Sequence, residues 1–171
     1  GSLDYKFNDN LKIENTLRLV KADFQYDAVN SSSTDVNDAS KNTEGSYSIK
    51  ILHNNGKFNN SFGYNKTYIE RNTTETAGTL QNYFGYRDAF NFTGTYNFNL
   101  DNRLVYGLDA EFDAARYDGD YAPSATGYSQ IFFDKAADEH IYSQYFDYQF
   151  RPAEKLFGTF GLRSDEHSAA G

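Results

Sequence analysis

Residues 89–98 read Ala-Phe-Asn-Phe-Thr-Gly-Thr-Tyr-Asn-Phe, and this stretch decides the fold class. Its even positions hold Phe90, Phe92, Gly94, Tyr96 and Phe98, whereas the odd positions between them hold only Asn and Thr. Side chains that follow one another along a β-strand point to opposite faces of the sheet. The stretch is therefore predicted to form a strand with one apolar and one polar face.

The same period of two recurs along the chain. It is clear in residues 57–65, 104–113, 141–150 and 156–163, and weaker strands are predicted near residues 4–7, 11–26 and 47–51. A change of parity within residues 11–26 predicts a β-bulge near Leu19 and Val20. No stretch of comparable length shows the 3.6-residue stripe of an amphipathic helix. The chain is predicted to be all-β, with about eight strands.

The connections between these strands alternate in length. The short ones cover residues 8–10, 54–56, 99–103 and 151–155. The first three are rich in Asn, Asp and Gly, which suit tight hairpins. The long ones are predicted as outer loops at about 27–46, 70–83 and 118–139. An antiparallel up-and-down meander with short turns at one end and long loops at the other is typical of an outer-membrane β-barrel.

The composition agrees with a barrel and excludes several other classes. Only 39% of the 171 residues are hydrophobic, yet the chain has 15 Tyr and 15 Phe, as expected if every second side chain faces lipid. The absence of Cys excludes disulfides, thiolate-bound metals and a thiol nucleophile. A net charge of −8 argues against nucleic acid as a partner. No apolar run reaches the roughly 18 residues of a membrane-spanning helix.

The order of turns and loops bears on the architecture. If the short turns are periplasmic, the first strand descends and the last ascends, so the whole chain, 1–171, is expected to be a single β-barrel segment of a larger barrel, without a plug domain. Two alternatives stay open. Eight strands suffice for a small, self-contained outer-membrane barrel with a structural or adhesive role, and a soluble β module binding carbohydrate through exposed tyrosines would also show the alternation.

Three stretches resemble the TonB-dependent outer-membrane receptors. They are Leu-Phe-Gly-Thr-Phe-Gly-Leu-Arg-Ser-Asp-Glu-His-Ser at 156–168, Tyr-Phe-Asp-Tyr-Gln-Phe-Arg-Pro at 145–152 and Leu-Val-Tyr-Gly-Leu-Asp-Ala-Glu-Phe at 104–112. The resemblance implies a barrel of about 22 strands, plugged by an N-terminal domain, in the bacterial outer membrane. It also implies import of a scarce small-molecule ligand, namely a ferric siderophore, haem or cobalamin. TonB would act only through the plug domain, which is not expected within these residues.

Candidate site residues follow from the same reading, and none indicates an enzyme. Aromatic side chains near the outer loops are expected to contact ligand: Tyr83, Tyr86, Tyr117, Tyr121 and Tyr128. Polar side chains are expected to face the lumen, with Arg163 or Arg103 balancing the acids: Asp109, Glu111, Asp113 and Arg163. Carboxylates near an outer loop are candidates for calcium, the one cofactor considered: Asp113, Asp118 and Asp120.

Overall fold

The computed structural model of this chain describes residues 1–26, 38–74, 80–121 and 131–168, with side chains at all of these positions except 26, 80, 120, 121 and 131–133. Within these ranges every regular element is a β-strand. The strands are β1 (Ser2–Asn8), β2 (Leu11–Tyr26), β3 (Asp38–Asn54), β4 (Phe58–Thr74), β5 (Leu80–Asn97), β6 (Asn102–Tyr121), β7 (Ile131–Ala153) and β8 (Leu156–His167). No helix in the described part of the chain has the length and apolarity to cross a membrane.

The eight strands form one antiparallel sheet in the order in which they occur in the chain. Each strand pairs with its sequence neighbour, and β1 and β8 are the two edges of an open sheet among the described residues. Four short turns join β1 to β2, β3 to β4, β5 to β6 and β7 to β8, and all lie at the same end, here called the short-turn end. The prediction of an all-β meander of about eight strands is confirmed.

The register of the strands places apolar residues beside apolar residues, and polar residues beside polar residues, across the sheet. One row runs from Phe62 on β4 through Phe92 on β5 to Leu108 on β6. The neighbouring row on the other surface runs from Asn91 to Asp109, and on through Ser143 and Asp165 on β7 and β8. The surface that carries Phe92 and Leu108 is named the apolar face, and the surface that carries Asn91 and Asp109 is named the polar face.

The described part of the sheet has no hydrophobic core of its own. Among the described residues no hydrophobic side chain is buried, and the only buried polar or charged ones are Asp38 and Ser143. Large apolar side chains stay open on the apolar face instead, as Leu108 and Leu162 show, each 56% exposed. A single sheet can bury such a face only against something outside it.

The strands extend further than the sequence pattern predicted. Strand β3 already begins at Asp38, β4 runs to Thr74, β6 to Tyr121 and β7 starts at Ile131, so the predicted loops 27–46, 70–83 and 118–139 all overlap strands. The predicted bulge near Leu19 is also wrong, because β2 pairs with β3 in unbroken register. Both errors have one cause: beyond the apolar band the backbone still pairs, but side chains no longer alternate between apolar and polar.

Candidate functional site

A belt of aromatic rings lies on the apolar face at the short-turn end. The ring centroids of Phe58 and Tyr96 are 4.6 Å apart, and those of Tyr96 and Phe98 are also 4.6 Å apart. The contacts continue from Phe98 to Tyr148 at 6.1 Å and from Tyr148 to Phe150, stacked at 5.8 Å. The belt therefore crosses strands β4 to β7 without a break.

A second belt of rings crosses the same face nearer the long connections. Tyr64 and Phe90 lie 4.8 Å apart, and Phe90 and Phe112 lie 6.5 Å apart. Phe112 in turn meets Tyr142 at 5.7 Å and His140 at 6.4 Å. This belt also runs from β4 to β7.

The span of the two belts, from outer edge to outer edge, can be measured along β7. Facing members lie closer together, because Phe58 and Tyr64 on β4 are six residues apart, about 20 Å along the strand. Phe150 of the first belt and His140 of the second are separated by about 33 Å along the strand, at about 3.3 Å per residue. With a strand tilt of about 40°, that distance corresponds to about 25 Å along a barrel axis. This is the height of the apolar band of an outer-membrane barrel.

Charged side chains replace apolar ones on this face beyond the second belt. Asp88 accepts a hydrogen bond from the Tyr64 hydroxyl at 2.5 Å and pairs with Lys66 at 3.2 Å. Further along, Arg116 pairs with Asp118 at 3.0 Å and with Asp134 at 3.4 Å. The apolar band thus ends in a layer of ion pairs, as expected where a strand leaves hydrocarbon for water.

The polar face carries a charged network centred on Arg87 of β5. Its guanidinium donates two 2.7 Å hydrogen bonds to the two carboxylate oxygens of Asp113 and lies 3.3 Å from Glu111. Glu139 follows Asp113 in the same row and pairs with His167 at 3.5 Å. The predicted lumen residues Glu111 and Asp113 are therefore brought together on the polar face.

The arginine that balances these acids is not one of the two predicted. Arg163 instead holds Asp165 at 2.9 Å and the Ser143 hydroxyl at 3.2 Å, and Arg103 donates to Gln149. Asp109 lies on the polar face, one row from Glu111. Sequence reasoning missed Arg87 because its position opposite Asp113 follows from the register of β5 and β6, which no local pattern encodes.

The predicted ligand tyrosines are divided between the two faces. Tyr83 and Tyr117 are opposite each other on the polar face, beside a shallow depression of about 360 Å³ that Tyr83, Gly85, Ala115 and Ala137 help to line. Tyr86 points to the other face, where the Lys66 ammonium lies 5.7 Å from its ring centroid. Tyr121 belongs to β6, but its side chain and the whole of Tyr128 lie outside the described residues.

The predicted calcium ligands do not share one surface. Asp113 and Asp118 differ in parity along β6, and they pair with different arginines on opposite faces of the sheet. Asp118 lies within strand β6 rather than in a loop, and so does Asp120, whose side chain is outside the described set. In the described ranges no group of three or more His, Asp or Glu side chains is placed to hold a metal ion.

Tyrosine rings that lie across glycines are a feature that sequence reasoning missed. On the polar face Tyr145 of β7 covers Gly107 of β6, and its hydroxyl meets the Thr93 hydroxyl of β5 at 3.1 Å. On the apolar face Tyr106 of β6 covers Gly94 of β5 in the same way. A glycine inside a strand pattern is the available signal for such a close approach.

Solved structures of other proteins share this architecture. The copper transporter OprC superposes with a TM-score of 0.67 over 97% of this chain and 27% of its own, at 16% sequence identity. The ferric-catecholate import receptor Fiu from E. coli K12, in its closed form, gives a TM-score of 0.60 over 95% of this chain and 31% of its own, at 14% identity. Both structures are TonB-dependent receptors. This chain has the fold of their barrel segments.

The predicted resemblance to TonB-dependent receptors is thereby confirmed at the level of the fold. The chain spans less than a third of either protein's length. No protein-family model matches the sequence, and no curated protein does. By name the two structural neighbours are a transporter and a receptor, not enzymes.

Proposed function

We propose that this chain is a wall segment of a bacterial outer-membrane receptor that imports a scarce ligand with energy relayed by TonB. The observation that carries the proposal is the pair of ring belts on one face, with a charged network behind them on the other. An amphipathic ring is favoured at a membrane interface, so two belts whose outer edges are about 25 Å apart along a barrel axis mark the two surfaces of a bilayer. The polar face then lines the lumen.

The open sheet argues against the two alternatives. A self-contained eight-stranded barrel needs β1 to pair with β8, whereas in the described chain each of these strands has one neighbour. A soluble carbohydrate-binding module needs a buried apolar core, and no described hydrophobic side chain is buried. Lipid would cover the exposed apolar face, and further barrel strands would pair with the free edges of β1 and β8.

The ligand of the receptor belongs to the same proposal. A ferric siderophore is favoured over haem or cobalamin, because one structural neighbour is by name a ferric-catecholate import receptor. Tyr83 and Tyr117, which lie beside the depression on the polar face, are the proposed ligand contacts. TonB would reach the receptor through a plug domain. Calcium binding at the outer loops stays a prediction.

Tryptophan scanning tests the membrane placement. These residues contain no Trp, and the emission of the unsubstituted receptor is subtracted, so the difference reports the introduced Trp alone. We expect the emission of Leu108→Trp to be strongly quenched in vesicles whose acyl chains carry bromine, because Leu108 is open on the apolar face. Asp109→Trp is the matched control at the same depth on the polar face, and it should be quenched little. Equal quenching of the two variants would refute the assignment of faces.

A further inference from the structure

A depression of about 830 Å³ lies on the sheet at the short-turn end, between the β3–β4, β5–β6 and β7–β8 turns. It is named the turn depression. Its charged lining residues are the cations Lys57, Arg103, Arg151 and Lys155 and the acids Asp101 and Glu154. Cations thus outnumber acids here, although the chain as a whole carries a net charge of −8.

The two arginines are positioned by neutral acceptors. Arg103 donates from Nε to the Gln149 side-chain oxygen, and Gln149 in turn donates to Asp147 at 2.7 Å. Arg151 donates to the main-chain carbonyl of Glu154 at 2.8 Å. Neither arginine forms an ion pair with any described carboxylate, in contrast to Arg116 and Arg163. Each guanidinium group is therefore hydrogen-bonded, and neither has a described carboxylate at ion-pair distance.

Apolar side chains stand beside these cations. Phe157 on β8 is 64% exposed, and Leu100 in the β5–β6 turn is fully exposed. A volume of this size is in the range that accommodates a small organic ligand. We propose that the turn depression binds a small organic anion that carries two or more negative charges and an aromatic or apolar part. The guanidinium groups would hold its carboxylates or equivalent oxygens, and Phe157 would pack against its ring.

This inference rests on the proposed function. An anion bound in the turn depression would lie at the short-turn mouth of the lumen, so anionic molecules become the expected class of imported ligand. Binding itself does not depend on transport. The quenching of Leu108→Trp reports membrane placement alone, so failure of the anion site and failure of the proposed function are separate results.

Three related probes test the charge and the ring independently by titration calorimetry on the full-length protein in detergent micelles. Trimesate has three carboxylates on a benzene ring, citrate has three carboxylates without a ring, and the triamide of trimesic acid has the ring without charge. We expect trimesate to bind, citrate to bind several-fold more weakly and the triamide to show no binding. Because the site is open to solvent, trimesate affinity should fall as salt is added.

Substitution of both arginines locates the site. The double variant Arg103→Gln, Arg151→Gln should weaken trimesate binding about tenfold or more, because two charged hydrogen-bond donors are lost. Arg103→Lys with Arg151→Lys should retain most of the affinity. Arg18→Gln is the control, since it removes one exposed cation from the polar face of β2, away from these turns; it should have no effect.

Three outcomes would overturn the proposal: binding by the double Gln variant equal to that of the unsubstituted protein, an equal loss in Arg18→Gln, or equal binding of triamide and trimesate. Heat-dependent gel mobility checks that each variant is folded. If the double Gln variant does not fold, Phe157→Ala serves as the test of the assigned site. Loss of the ring contact in this variant should abolish the preference for trimesate over citrate. An unchanged preference would refute the assigned site.

Discussion

The ring of Tyr145 across Gly107 allows a quantitative test of how the sheet is held together. Gly107 is buried on β6, and a methyl group added there would overlap three atoms of the Tyr145 ring and hydroxyl. In Gly107→Ala the ring must move, and the hydroxyl then loses the Thr93 hydroxyl, 3.1 Å away on β5. One added carbon therefore disturbs three adjacent strands.

The expected cost can be worked out from these contacts. Overpacking of a side chain against a fixed neighbour costs about 1–3 kcal/mol, and a lost hydrogen bond costs about 0.5–1.5 kcal/mol. Replacing Gly by Ala in an extended backbone stabilises the folded state by about 0.4–1 kcal/mol, because the unfolded chain has less conformational entropy. Gly107→Ala should therefore lower the free energy of unfolding by about 0.5–4 kcal/mol, which lowers the urea midpoint by roughly 1 M.

A double-mutant cycle separates the steric effect from a general intolerance of Ala at position 107. Urea unfolding of the full-length protein in detergent, followed by far-UV circular dichroism, gives the four free energies. In the Tyr145→Ala background the ring is absent, so Gly107→Ala should be neutral or slightly stabilising. If Gly107→Ala costs the same with and without the Tyr145 ring, the ring does not lie across the glycine and the reasoning fails.

Two further predictions concern the Arg87 network and the β3–β4 turn. Arg87→Gln should lower the free energy of unfolding by about 1 kcal/mol, because the half-exposed Arg87 neutralises the less exposed Asp113 through two hydrogen bonds; Arg87→Lys should recover only part, since lysine cannot make the paired contact. Urea midpoints measure both, and full recovery by lysine would contradict the two-bond geometry. Gly56→Ala should cost about 1–2 kcal/mol, because Gly56 has a φ of +85°. Gly56→Asn should cost less in the same assay, and equal midpoints for Ala and Gly would contradict the strain.

The two faces of the sheet together explain the unusual composition. Aromatic residues form two belts on one face, and the span between the outer edges of these belts is close to the apolar thickness of an outer membrane. Charged side chains on that face, such as Lys66 and Arg116, lie beyond the second belt. A chain can therefore be polar overall and still present a continuous apolar band.

Much of this could be predicted from local sequence. The alternation in residues 89–98 and its repeats predicted the all-β class, the antiparallel meander and the separation of Asp109, Glu111 and Asp113 from the aromatic face. Those conclusions need only the period of two along one strand, which every residue expresses independently of its partners. Segments rich in asparagine, aspartate or glycine likewise marked three of the four short turns, because their backbone requirements are local.

Register and strand length were decided only by the tertiary structure. The pairing of Arg87 with Asp113 and the reach of Tyr145 across Gly107 to Thr93 both depend on how neighbouring strands align. That alignment joins residues up to 52 positions apart in the chain, so it is set by turn geometry and by the sum of cross-strand contacts rather than by any one stretch. For the same reason β6 could continue beyond residue 117, where the side-chain pattern had already faded but the backbone still found its partner.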